Sequence, residues 1–129
     1  MKIVALSTAV LASLFFVAYG ILFVIDPSGW FANITNAELE TTTSLIEVRS
    51  TYGGMTVALG IFIGLLYLRG FQLQSMHLIA LVLVGMATAR TLGLLIDGPG
   101  NTLMYVYLAL ELIGAALALL SARSLRNAA

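Results

Sequence analysis

Residues 76–96 read MHLIALVLVGMATARTLGLLI and residues 102–122 read TLMYVYLALELIGAALALLSA, with DGPGN at 97–101 between them. Each run is close to the ~20 mostly apolar residues that a helix needs to cross a bilayer. The intervening Asp97-Gly98-Pro99-Gly100-Asn101 is built from helix terminators, so the pair reads as two antiparallel membrane helices joined by a short turn. Working outward, the same reading applies at 45–68, closed by Arg69-Gly70, and at 3–25, closed by Asp26-Pro27-Ser28-Gly29. The opening run exceeds the ~7–15-residue apolar core of a signal peptide and is read as a retained helix. The expected fold class is all-α, a four-helix transmembrane bundle forming one domain over 1–129. Only the connection at about 26–44 has room for extra structure. There Thr35-Asn36-Ala37-Glu38 has the form of a capping box that starts a short surface helix, with Trp30 and Phe31 at the lipid interface.

Composition excludes the common soluble classes. The chain is 60% hydrophobic and 9% charged, against about 45–50% and about 25% in an ordinary soluble domain. A protein this small could not hide that much apolar surface from water. Six basic and six acidic residues give no net charge, hence no electrostatic footprint for nucleic acid. The absence of cysteine removes disulfides and thiolate chemistry, and the single histidine, His77, cannot by itself make a zinc or haem site of the usual kind. No cofactor and no metal site are expected. The partners expected are the lipid bilayer and a lipophilic small molecule, or else a larger membrane complex or a homo-oligomer.

Lys2, Arg69, Arg123 and Arg126 fall on one side of a four-span arrangement, and Asp26, Glu38, Glu40 and Asp97 on the other. The positive-inside rule places both termini in the cytoplasm.

Arg49, Arg90 and Glu111 are not explained by topology. Charges inside a span cost at least about 2.5–3.5 kcal/mol on insertion scales, so they face protein and have partners. Arg90 lies seven residues before Asp97, roughly 10 Å below the outer surface at the helical rise. Glu111 lies nine residues after Thr102, roughly 14 Å from the same surface. Arg49 opens the second span, and Tyr19 lies six residues before Ile25 on the first. Each span therefore puts a polar group in the outer half. Arg49, Tyr52, Thr56, Gly60 and Gly64 form one helical stripe. Met86, Arg90, Gly93 and Asp97 form a second, and Tyr107, Glu111, Gly114, Ala115 and Ala118 a third. Gly60-x-x-x-Gly64 and Gly85-x-x-x-Ala89-x-x-x-Gly93 read as seams for close helix approach.

Two readings of Arg90 and Glu111 stand side by side. In one they are a structural ion pair. In the other, Arg90 and Arg49 grip an anionic or carbonyl group while Glu111 accepts or carries a proton. Glu47 closes a capping box with Ser44 at the start of the second span, or joins the site. Asp97 is a turn residue at the end of the third span, or it orients Arg90. Tyr52 and Tyr107 are interfacial aromatics or walls of the pocket.

The run Glu47-Val48-Arg49-Ser50-Thr51-Tyr52-Gly53-Gly54, then Arg90-x-x-Gly93-x-x-x-Asp97-Gly98, then Glu111, resembles a family of small bacterial four-helix membrane proteins known only as a domain of unknown function. The resemblance covers about residues 1–123. It implies that Arg49, Tyr52, Gly53, Gly54, Arg90, Asp97, Gly98 and Glu111 are motif positions, and that the membrane is the bacterial inner membrane. More distantly the arrangement is similar to the DoxX-type four-helix proteins, some of which are small subunits beside quinone-linked oxidoreductases.

The function expected is the binding of a lipophilic small molecule with a polar head, in an outward-facing pocket of Arg49, Arg90, Glu111, Tyr52 and Tyr107, with Glu47, Asp97 and Tyr19 around it. Were the site catalytic, it would suit acid–base chemistry such as isomerisation, cyclisation or epoxide hydrolysis. Arg90 would then stabilise developing negative charge and Glu111 would move the proton. The alternative is an accessory structural subunit of a larger membrane complex. A proton-coupled carrier is disfavoured, because no span is broken and no internal repeat is present.

Overall fold

The computed structural model describes residues 2–127. Residues 1, 128 and 129 of the expected 1–129 domain lie outside the described residues, as does the Lys2 side chain. The elements are α1 (Lys2–Ile25), α2 (Pro27–Thr35), α3 (Thr42–Val48), a π-helical segment (Arg49–Met55), α4 (Thr56–Leu68), α5 (Gln72–Ile96) and α6 (Thr102–Asn127), with no strand among the described residues. Four stretches are long and apolar enough to cross a membrane: Ile3–Ile25, Thr42–Leu68, Gln72–Ile96 and Thr102–Asn127. The fold is all-helical and the protein is a multi-pass membrane protein.

Local capping moves several expected boundaries. The second span begins at Thr42 because Thr41, extended at φ −122° and ψ 151°, accepts from the Ser44 amide. Ser44 Oγ in turn accepts from the Thr41 amide at 3.2 Å. The capping box is thus Thr41 with Ser44, and Glu47 is not its closing residue. The Glu47 carboxylate accepts instead from Thr51 Oγ1 at 2.8 Å. The box expected at Thr35 and Glu38 is corrected too, since Thr35 ends α2 and Asn36 leaves it in the left-handed region. That helix starts at Pro27, where Asp26 accepts from the Gly29 amide at 2.9 Å and proline fits the first helical position.

The link from α4 to α5 is a Schellman turn. The Phe71 amide donates to Leu66 O at 2.9 Å and the Gly70 amide to Tyr67 O at 3.2 Å. Gly70 adopts φ +88° there, a conformation that costs glycine little and other residues more. The third span consequently begins at Gln72 and not near 76, and the fourth continues to Asn127, past the expected end near 122.

The chain forms two compact units. In the first, Leu11–Phe62, α1 lies tight against the π segment and α4. A Cβ on Gly20 would come 2.7 Å from Gly53 O and Val57 N, and one on Gly60 2.8 Å from Ser13 O and Val17 N. Ser13 Oγ uses this proximity to donate to Gly60 O at 2.8 Å. Phe16, Phe23, Ile34 and Val48 are buried in this unit.

The second unit runs up to Val10 and from Ile63 onward. Here α5 and α6 pack as antiparallel neighbours. The α5 face made by Met76, Ile79, Ala80 and Ala87 is buried, as is the α6 stripe of Glu111, Ala115, Ala118 and Ala122. A Cβ on Gly114 would meet Leu83 Cδ1 at 2.7 Å, so the Leu83 side chain occupies the space left by the missing side chain. The expected seam at Gly85 is corrected. Among the described residues nothing lies within 4 Å of a Cβ built there, because at about 100° per residue Gly85 stands opposite the Met76–Ala80–Ala87 face. Large apolar side chains such as Leu81, Leu92, Leu95 and Leu112 are exposed, the outer surface that a bilayer solvates.

Candidate functional site

Register along α5 and α6 brings Arg90 and Glu111 side by side. Arg90 falls on the same helical face as Met76, Ile79 and Ala87, and Glu111 heads the buried stripe of α6. The guanidinium lies along the carboxylate. Arg90 Nε donates to Oε1 at 3.2 Å and to Oε2 at 3.1 Å, while Nη2 donates to Oε1 at 2.6 Å. The carboxylate side chain is 6% exposed and the guanidinium side chain 20%. Paired in this side-on geometry, each charge offsets much of the desolvation cost of the other.

Two further α6 side chains lie against the guanidinium. Tyr107, one turn before Glu111, holds its ring centroid 5.3 Å from Arg90 Cζ, within cation–π range. Arg90 Nη1 donates to the Met104 sulfur at 3.2 Å. Met104 was not among the expected site residues, although its spacing from Tyr107 and Glu111 puts it on their stripe. Its thioether is a weak acceptor beside the strong carboxylate contacts. Asp97 lies seven residues beyond Arg90. It caps the C-terminal end of α5, and its Oδ2 lies 3.6 Å from where a Cβ on Gly93 would stand.

The other expected residues belong to the Leu11–Phe62 unit. Arg49 donates to the last carbonyls of α1, to Val24 O and, at 3.5 Å, to Ile25 O. A cation there complements the negative end of the α1 dipole. Tyr52, 45% exposed, has its ring centroid 5.4 Å from Phe23 and 6.4 Å from Phe31. Tyr19 is 4.9 Å from Phe23 and 5.8 Å from Phe15, so Tyr19 and Tyr52 lie on either side of Phe23 within one chain of aromatic rings. Glu47 and Thr51 form their own hydrogen-bonded pair at the start of the π segment.

That π segment alters the expected stripe on the second span. From Arg49 to Met55 the helix is wider than an α-helix, so three- and four-residue spacing no longer relates Arg49 to Thr56 on one line. Thr56 Oγ1 reaches the carbonyl of Thr51, five residues back, at 3.5 Å. The run Arg49-Ser50-Thr51-Tyr52-Gly53-Gly54 lies wholly inside it, and such wide turns recur at functional positions in helices.

Among the described residues there is no group of three or more His, Cys, Asp or Glu able to hold a metal ion. The chemistry available at Arg90 and Glu111 is that of a fixed planar cation and a carboxylate acceptor. Residues 6–122 match the domain of unknown function DUF4345. No curated protein matches the chain, and no solved structure does. With all four membrane-spanning stretches inside or overlapping the matched range, the chain belongs to the DUF4345 family.

Proposed function

We propose that this protein binds a lipophilic small molecule with a polar head at the Arg90–Glu111 pair. The observation that supports this reading is a carboxylate 6% exposed and a guanidinium 20% exposed held between two largely apolar helices. Ionisable groups within a span are costly and mark binding or transport sites by default. Arg90 is the anchor for a carbonyl or anionic head. A ligand oxygen that displaced the Met104 sulfur from Nη1 would replace a weak acceptor with a strong one. Tyr107 offers a flat apolar wall beside it. Glu111 holds the guanidinium in plane and is the group able to carry a proton, should the bound molecule react.

We place the protein in a bacterial inner membrane with both termini in the cytoplasm, on the distribution of Arg69, Arg123 and Arg126 against Asp26 and Asp97. The pair then lies in the outer half of the bilayer. Arg49, Tyr52, Tyr19 and Glu47 belong to the other compact unit, and the proposal rests on Arg90, Glu111 and Tyr107.

One observation favours the accessory-subunit reading. Both oxygens of Glu111 are already engaged by Arg90, as in a purely structural pair. Native mass spectrometry of the gently extracted protein decides between them. The expected result is this chain, or a small multiple of it, carrying one non-phospholipid adduct that Glu111→Gln loses while remaining helical. A stoichiometric larger assembly with no adduct overturns the binding reading.

A further inference from the structure

We infer that the end of the second unit formed by the α4–α5 turn and the last turns of α6 binds the headgroup of an anionic phospholipid. The register of α5 against α6 sets this end. Arg90 pairs with Glu111 and Leu83 abuts Gly114, so the two antiparallel helices put Arg123 level with about His77, and Arg126 level with about Gln74. Arg69 enters from the Schellman turn immediately before α5. Arg69, His77, Arg123 and Arg126 are all exposed.

Charge complementarity identifies the occupant. Residues 63–96 contain no Asp or Glu, and residues 98–129 contain only Glu111, which is committed to Arg90. Asp97 lies at the opposite end of α5. Three arginines therefore share one rim with no acidic residue, and among the described residues none of the three forms a salt bridge. A second feature points the same way. The first turns of α2, α3 and α6 are capped by Asp26, Thr41 and Asn101, whereas Phe71 offers α5 no side-chain cap. The amides opening this 25-residue helix are thus left to accept an anion, and the helix dipole favours one there. Beside them Leu68 is 81% exposed and Phe71 50% exposed, an apolar shoulder for an acyl chain. A phosphodiester without a balancing ammonium, attached to acyl chains, meets all three features. A zwitterionic headgroup would bring its own cation against the arginines.

The test uses the full chain in detergent with equimolar phosphatidylglycerol and phosphatidylcholine of identical acyl chains, counting retained adducts by native mass spectrometry. Phosphatidylglycerol adducts should exceed phosphatidylcholine adducts at least about tenfold. In the triple variant Arg69→Gln/Arg123→Gln/Arg126→Gln the ratio should fall to about one, with Arg126→Gln alone intermediate. Circular dichroism and Tm in phosphatidylcholine report whether the variants are folded. Millimolar inorganic phosphate should leave the adducts in place. Equal retention of the two lipids by the parent chain overturns the proposal, as does a folded triple variant that keeps the preference. Displacement by inorganic phosphate would make this a free-anion site and overturn the lipid assignment. None of these results depends on a ligand at Arg90.

Discussion

Glu111→Gln removes the negative charge paired with the Arg90 guanidinium, so two effects separate in one variant. Depriving the half-buried Arg90 of its carboxylate should cost up to about 3–5 kcal/mol, read as a lowered Tm with helicity retained below it. The double variant Arg90→Met/Glu111→Leu fills similar volume with apolar atoms and should recover most of that loss, while the small-molecule adduct stays absent. A double variant as unstable as the single one would show that the pair organises more of the packing than its own contacts. Ser121 makes the opposite case. Its hydroxyl is buried without a hydrogen-bond partner among the described residues, and an unsatisfied buried group costs stability. Ser121→Ala should leave Tm unchanged or raise it. Ser75→Ala should lower stability by about 1 kcal/mol, because Ser75 Oγ donates to Ile63 O at 3.1 Å in a buried setting.

Two glycines that look alike in sequence should respond differently at the level of the helix. Gly60→Ala drives a methyl to 2.8 Å from the Ser13 carbonyl and the Val17 amide, backbone that cannot move without separating α1 from α4. Thermal unfolding should show a marked loss. Gly85→Ala meets open space and gains helix propensity of up to about 1 kcal/mol, so its Tm should be unchanged or higher. The elements themselves were legible, because a run of about twenty apolar residues has one physical solution in a bilayer. Their starts were less so. Ser44-Leu45-Ile46-Glu47 and Thr41-Thr42-Thr43-Ser44 overlap, and only backbone geometry at Thr41 decides between them. The π segment was not legible, since five-residue hydrogen bonding leaves no periodicity that distinguishes it from α-helix. Gly85 was misread because the small-residue spacing says how closely a face can be approached, not whether anything approaches it. The juxtaposition of Arg90 and Glu111 did follow from counting residues inward from the Asp97–Asn101 turn, whereas Met104, uncharged, carries nothing in the sequence that marks it out despite sharing their stripe.

Across the whole molecule, the lack of any native cysteine permits orientation to be read directly with single introduced thiols. Ser28→Cys and Thr102→Cys should react with an impermeant maleimide added to intact cells. Gln74→Cys and Asn127→Cys should react only after permeabilisation. The reverse pattern would overturn the proposed orientation and move Arg90 and Glu111 to the inner half. The spans needed no tertiary information to be found, but the division of the chain did. The boundaries between the compact units fall at Val10/Leu11 and Phe62/Ile63, inside α1 and α4 and away from every loop. A fragment ending at Val10 would keep a stub rising about 14 Å, less than half of the ~30 Å hydrocarbon layer. Neither unit can therefore be inherited, fused or exported as a module. The connections at 36–41 and 97–101 are the places where the polypeptide can be nicked or extended without severing a helix that must reach both faces of its membrane.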